Sequence, residues 1–486
     1  MRMLGMLAPF DSVALDIGTL VLLVHIAGMM AAVHAVVNTR TSQGAIAWAV
    51  ALVTMPYLTL LPYLFLGQSY FRGYVDARRS GNRQLRSLAA HPATPADPDA
   101  SARAKAALGP GAKRAFDRLS GMPLLPGNNV SLLVNGTQTF NTILAAIDGA
   151  ERYVLVQFFV IRDDTLGRRL HRALTLAAKR GVAVFLLYDG IGSHKLSREY
   201  VTSLRTAGVQ THKFATRRFV NRFQLNFRNH RKIVVIDGRR AFVGGHNVGD
   251  EYLGETFPLS PWRDTHIDLV GPVVSSIQFS FVEDWFWATR RVPDLVRCEQ
   301  NDSANMCCQS IASGPADEFE TCSLFFVTAI NAAQSRIWLT SPYFVPDEAV
   351  FSALKLAVMR GVDVRILIPS RRDHLVVFSA SNVYVSEAVR AGVRMFRYQP
   401  GFLHQKVVLI DDVAAAIGSP NLDNRSFRLN FECTVLTVDR GFAADVEAML
   451  VEDFSHANEV SDNEFANFPA WQRAAMRVAC LFSPIL

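Results

Sequence analysis

Two short strings carry the residues best suited to chemistry. "HRKIVVID" runs from His230 to Asp237, and "HQKVVLID" from His404 to Asp411. Each reads histidine, any residue, lysine, four residues, aspartate. In a strand, side chains alternate between faces. His230 and Lys232 therefore share a face, as do His404 and Lys406. Asp237 and Asp411 sit an odd number of positions away, so each points elsewhere or begins the following turn. The parity predicts that histidine and lysine meet a ligand and that the aspartate organises the strand end. Six residues after Asp237 comes "GGHN", ending at Asn247; six after Asp411 comes "GSPN", which holds Ser419 and ends at Asn421. Small residues let a phosphate approach the backbone, the two asparagine amides can donate to its oxygens, and Ser419 adds a hydroxyl donor where the first half has Gly245. Each half then offers a carboxylate, Asp264 in "PWRDTHIDLVGP" and Glu432 in "LNFECTVLTVDR". A carboxylate that accepts the far N–H of a histidine fixes its tautomer and supports its cation. The expected pairs are His230 with Asp264 and His404 with Glu432. Asp268, at the same parity as Asp264, is the alternative in the first half.

Two histidines and two lysines drawn from two similar domains would make a pseudo-twofold site, and a phosphodiester fits it. The lysines and asparagines hold the non-bridging oxygens and offset charge in the transition state. One histidine attacks phosphorus and becomes a covalent phosphohistidine. The other protonates the departing alcohol and deprotonates the next. No acidic metal cage is evident, so no metal and no other cofactor is expected.

The elements that must position these residues form a repeat. "AAIDGAERYVLVQFFVIRDD" (145–164) parallels "TAINAAQSRIWLTSPYFVPDE" (328–348), and "ALTLAAKRGVAVFLLYDG" (173–190) parallels "ALKLAVMRGVDVRILIPS" (353–370). Each copy reads as helix end, strand, helix and strand. Gly181 and Gly361 fit helix C-caps. Strand–helix–strand order implies an α/β fold with a sheet in each half. The expected domains are residues 122–305 and 306–486, after a juxtamembrane basic segment and linker at 71–121. The Ala-, Pro- and Asp-rich stretch 87–112 shows no apolar period and reads as linker, with room for a short helical stretch.

At 486 residues the chain holds several domains, and 50% hydrophobic residues with a net charge of +7 suit membranes and anionic partners. Residues 17–37 and 44–67 carry no charged side chain, and each is long enough to span a bilayer. They predict a two-helix transmembrane hairpin within 1–70, tolerant of Pro56 and Pro62 if neighbours satisfy the freed carbonyls. Arg72, Arg78, Arg79, Arg83 and Arg86 follow the second span, which predicts cytoplasmic ends and catalytic domains. The six cysteines form no C-x-x-C and read as thiols of a reducing compartment. The segment 212–232 interleaves basic and aromatic residues, suited to anionic lipid or single-stranded nucleic acid. The C-terminal "WQRAAMRVACLFSPIL" is amphipathic as a helix and reads as packing or membrane contact.

The paired motifs resemble the HKD motifs of the phospholipase D superfamily. With "TRTSQGAIAWAV" opening the second span, "NLDNRSF", "NFE" and "SPIL", the chain resembles its bacterial cardiolipin synthase branch. That resemblance implies two phospholipase D-like α/β domains forming a pseudo-twofold pair and an inner-membrane protein. It implies phosphatidylglycerol as the anionic phospholipid substrate: one molecule gives its phosphatidyl group to a histidine, glycerol leaves, and a second molecule accepts it. No nucleic acid is expected as a partner; the anchor disfavours a nuclease. By analogy His230 is the nucleophile and His404 the acid and base. A membrane-bound phospholipase D-type hydrolase of the same superfamily is the alternative activity.

Overall fold

In a computed structural model of the chain, the described residues are 8–39, 42–67, 74, 98–214, 226–293, 295, 305–461, 464–465 and 468–485. Two compact units emerge, residues 1–75 with 216–227, and residues 76–215 with 228–486.

In the smaller unit, helix Ala8–Asn38 packs against Ser42–Thr54 and Pro56–Leu66. Gly28 permits the crossing, because a Cβ there would lie 2.5 Å from the Leu52 carbonyl oxygen. Ala32, Ala35, Leu52 and Tyr63 form the contact, while Leu20, Val33, Val37 and Leu58 face outward. One stretch, Ile17–Asn38, is long and apolar enough to cross a membrane among the described residues. The expected second span is not one helix. It breaks at Met55 (φ −134°, ψ 54°), ahead of Pro56, which has no N–H to continue the ladder and disfavours a helical residue before it. Thr59 Oγ1 donates to the Ala51 carbonyl at 3.1 Å and the Met55 carbonyl at 2.8 Å, covering the break. The arginines at 72–86 lie outside the described residues, as does most of the basic–aromatic segment 212–232.

Among the described residues the larger unit is built on one mixed sheet of sixteen strands, fifteen in a single order and Arg228–Asn229 attached off it to Asn430–Val438. At its centre Leu125–Val134 and Met306–Ser313 pair antiparallel, with Leu125 opposite Cys308. From that seam the order runs outward on one side through Thr265–Val270, Arg240–Gly244, Ile233–Ile236, Tyr153–Phe158, Ala183–Asp189 and Gln210–Phe214. On the other side it runs through Asn430–Val438, Ala414–Gly418, Val407–Ile410, Arg336–Thr340, Asp363–Pro369 and Arg394–Tyr398, with Ala457–Glu459 added at the edge. The two halves thus repeat about the seam, an α/β pair of the kind the sequence repeat predicts. Matching devices begin and end the crossover helices. Asp164 caps Thr165–Lys179 and Asp347 caps Glu348–Met359, each accepting a backbone N–H three residues on. Gly181 (φ 88°) and Gly361 (φ 82°) take the left-handed turn after them.

Residues 98–120 differ from the expected linker. They form helices Pro98–Leu108 and Pro110–Ser120, and Leu108 and Phe116 enter the second half's hydrophobic core. Phe116 is 1% exposed, with its ring centroid 5.7 Å from that of Phe325. Ala112 and Leu119 pack beside them at helical spacing, a period that the Gly109-Pro110-Gly111 break and the small side chains obscure. Phe116→Ala should cost about 3–5 kcal/mol, as for other buried aromatics. It should appear as a clear fall in Tm in detergent micelles, whereas a true linker would leave Tm unmoved.

Candidate active site

Both motif strands are buried along their length, Ile233–Ile236 in one half and Val407–Ile410 in the other. The aspartate closing each turns the chain. Asp237 (φ 52°) and Asp411 (φ 50°) adopt the left-handed conformation, which a short polar side chain tolerates. Asp237 accepts the backbone N–H groups of Glu151, Arg152 and Tyr153 at 2.8–2.9 Å. Asp411 accepts those of Gln334, Ser335 and Arg336 and the Ser335 hydroxyl. Burial raises the Asp411 pKa, but these donors outweigh it and the net shift is downward. Both aspartates therefore clamp the end of the neighbouring strand to the motif strand.

The histidine partners are exchanged relative to the expected pairs. His230 Nδ1 lies 2.9 Å from both Glu432 carboxylate oxygens, and His404 Nδ1 lies 2.7 Å from Asp264 Oδ2. The reason is a strand exchange. Ahead of His230, Arg228–Asn229 pairs parallel with Asn430–Phe431 of the other half; ahead of His404, Phe402–Leu403 pairs parallel with Trp262–Arg263. The register runs one residue further, as the His230 N–H donates to the Phe431 carbonyl (2.9 Å) and the His404 N–H to that of Arg263 (2.8 Å). The next residue on each facing segment is the carboxylate. Asp268, the other option, is held by Arg240 at 2.8 and 2.5 Å.

Gly245 and Ser419 complete these dyads on the carboxylate side. Ser419 Oγ donates to Glu432 Oε2 at 2.5 Å, so its hydroxyl orients the carboxylate rather than standing as an independent phosphate ligand. At Gly245 an added Cβ would lie 2.0 Å from Asp264 Oδ1. The shorter half-site thus needs glycine, where the sequence suggested only a missing donor. Asn247 Oδ1 accepts the Val160 N–H (3.2 Å) and its Nδ2 donates to Tyr252 Oη (3.2 Å); Asn421 Nδ2 donates to Asp423 Oδ2 (3.1 Å). Each amide is tied into the wall and keeps a second N–H.

Further groups enter that the motifs do not announce. Arg231, between His230 and Lys232, donates to Asp284 at 2.8 Å and to the Glu432 carbonyl at 3.0 Å. At the matching position Gln405 donates to Asp453 (2.9 Å) and accepts the Thr265 hydroxyl (2.9 Å), while Arg263 clamps Asp453 at 2.6 and 2.7 Å. These buried networks join the halves, and the polar residue inside each H-x-K is the signal for them. Phe159 flanks His230 and Trp262 flanks His404, each with ring centroids 5.0 Å apart.

Lys232 and Lys406 are buried beside the imidazoles; each ammonium donates to the carbonyl of its own histidine, and Lys406 Nζ lies 3.0 Å from His404 Nδ1. Burial lowers the Lys232 pKa to about 7, with Glu432 opposing and Lys406 adding to the fall. Burial lowers Lys406 to about 8 against the pull of Asp264 and Glu432. His230 drops to about 4 by burial, which Glu432 only partly offsets, and His404 falls well below its ordinary value through burial, both lysines and His230. Burial alone would raise Glu432, but His230, Lys232 and Ser419 hold it well below the usual carboxylate range. Burial thus keeps the imidazoles neutral beside the two lysines and the two acidic side chains, and an arriving anion favours added protons. Gly245→Ser should displace Asp264 and lower kcat/KM about a hundredfold, measured as steady-state turnover of a phosphodiester.

Comparison with known proteins places the chain in a family. The family model described as cardiolipin synthase, PLD-like domain, matches residues 143–257 and 326–454, one match in each half. The chain is 57% identical over 470 residues to cardiolipin synthase A of Pseudomonas putida, covering 96% of this chain and 98% of that protein. Cardiolipin synthase A of Pseudomonas fluorescens matches at the same identity and coverage. Among solved structures, the phosphatidylserine synthase of Haemophilus influenzae superposes with a TM-score of 0.62 at 15% identity, over 77% of this chain and all of that one, a likeness of fold. The chain belongs to the cardiolipin synthase family of phospholipase D-like proteins.

Proposed function

We propose that this protein is a cardiolipin synthase that joins two phosphatidylglycerol molecules and releases glycerol. One observation carries the reading: two imidazole–carboxylate dyads, each assembled across the seam, stand with two buried lysines. Lys232 and Lys406 hold the non-bridging oxygens of the donor lipid's diester. The Nε2 of His230 attacks phosphorus while Glu432 bears the charge that grows on the ring. His404 gives its proton to the glycerol oxygen as the P–O bond breaks, leaving phosphatidyl-His230. A second phosphatidylglycerol then enters; His404 takes the proton from its hydroxyl, the new oxygen attacks phosphorus, and His230 leaves. Bonds and protons balance over the two steps, and no oxidant or metal is required.

An arriving diester's negative charge favours a proton on a neighbouring imidazole, and we assign that proton to His404 because His230 is the attacking group. The membrane association belonging to this family fits the apolar helix Ile17–Asn38. We place the protein in the inner membrane by two N-terminal segments, with the α/β unit cytoplasmic.

Incubating the protein in phosphatidylglycerol vesicles should give cardiolipin and glycerol in equal amounts; phosphatidic acid alone would mean hydrolysis. A p-nitrophenyl phosphodiester needs no acid for its leaving group. It should therefore label His404→Ala at His230 with one phosphoryl group and leave His230→Ala unlabelled. Label on His404 of the His230→Ala variant would reverse the roles. Affinity for an unreactive diester should fall as pH rises through about 7 to 8, because Lys232 and then Lys406 lose the proton the anion needs. Calorimetry in buffers of different ionisation enthalpy should register proton uptake on binding.

A further inference from the structure

The C-terminal sequence "WQRAAMRVACLFSPIL" has no part in the chemistry, yet it builds an unusual surface. Its helix, Ala470–Cys480, uses Ala479 and Cys480 to pack on Val377, Ala380 and Tyr384 of helix Leu375–Arg390. At 100° per residue, a second face carries Trp471, Ala474, Ala475 and Val478, and the chain continues it with Leu481 and Phe482. No polar side chain interrupts that face. Trp471 is 73% exposed, Val478 56%, Leu481 76% and Phe482 50%. Arg477 borders it, while Arg473 lies toward the packed side. The helix beneath contributes Leu375 (60%) and Val376 (46%) at its start, just after Arg371 and Arg372. A water-facing surface gains nothing from so many large apolar groups in one place.

The face adjoins the rim of the active site. The Tyr343 hydroxyl donates to Asp373, two residues before Leu375, and the charge of Asp373 reaches Lys406. Val345 pairs in register with Asp423, directly after the second motif's Asn421-Leu422, and Val345 packs with Ala380 and Ala479. The terminal turn Ser483–Ile485 rests on helix Asn424–Arg428, which Asp423 caps. A diacyl lipid faces a conflict at this rim. Its phosphorus must reach imidazoles sunk in the protein, while its chains lose heavily for every methylene drawn into water. An apolar face edged with arginines has the chemistry of an anionic bilayer surface.

We propose that this face, Trp471 to Phe482 with Leu375 and Val376, seats itself in the interfacial layer of an anionic phospholipid bilayer. It thereby holds the site's mouth against the membrane, so that a lipid headgroup enters while its chains stay in hydrocarbon. The proposal rests on the reading of the substrate as a membrane phospholipid.

The test uses the full chain in phosphatidylglycerol vesicles with acyl chains brominated near the headgroup. The difference in emission between wild type and Trp471→Phe isolates Trp471. Its fluorescence should be more than halved by the bromines and protected from aqueous iodide. Val478→Glu combined with Leu481→Glu should lower cardiolipin formation from bilayers at least tenfold, with turnover of soluble bis(p-nitrophenyl) phosphate kept within twofold. Unquenched Trp471 overturns the proposal. So does an equal loss on the soluble diester, which would mark a structural role. Shielding that needs no lipid and grows with protein concentration would mean a second copy covers the face, and also overturns it. A wild type that only hydrolyses lipid would sink the synthase reading, while the quenching result would still decide the contact.

Discussion

Everything in the catalytic centre depends on two parallel strand pairings, each only two residues long. They carry the chain ahead of each histidine out of its own sheet and onto the other half. Backbone hydrogen bonds His230 N–H to Phe431 and His404 N–H to Arg263 then fix which residue comes next on the facing segment. The side chains add little freedom to this choice. Once the register is set, Glu432 must meet His230 and Asp264 must meet His404. The Arg231–Asp284 and Arg263–Asp453 pairs lock the same register from the flanks, and their burial makes slippage costly, since it would strand charges away from water.

The electrostatics follow from that packing. Lysines this deep would discard their protons if isolated, and they stay near the working range because two carboxylates lie with them. The same burial keeps both imidazoles uncharged, which is the form a nucleophile needs. An anion drawn to these lysines would favour a proton on a neighbouring imidazole.

Much of this was legible in the amino-acid order. The H-x-K-x4-D strings, the matching Gly181 and Gly361 turns and the repeated strand–helix–strand order disclose a doubled α/β fold, because each depends on local geometry. The terminal role of Asp237 and Asp411 follows from parity alone. The partners of His230 and His404 did not yield to such reasoning, since spacing within a half says nothing about strands exchanged between halves. Gly245 looked like a lost hydroxyl until Asp264 occupied the space a side chain would fill. The helices at 98–120 were hard to read because Gly109, Pro110 and Gly111 interrupt the run in which Leu108, Ala112, Phe116 and Leu119 meet the core. The interruption at Met55 was foreshadowed by Pro56, but hydropathy registers composition and passes over a missing N–H.

The crossed dyads have a bearing on biosynthesis. A ribosome delivers the apolar helix and His230 well before Glu432 exists, so the nascent polypeptide sits among phospholipids with an unsupported imidazole. Asp264 is likewise idle until His404 has been made and folded against it. Neither reactive group is armed while translation is under way, and both mature in the same folding event. A product that ends before Glu432 therefore lacks the carboxylate that supports His230.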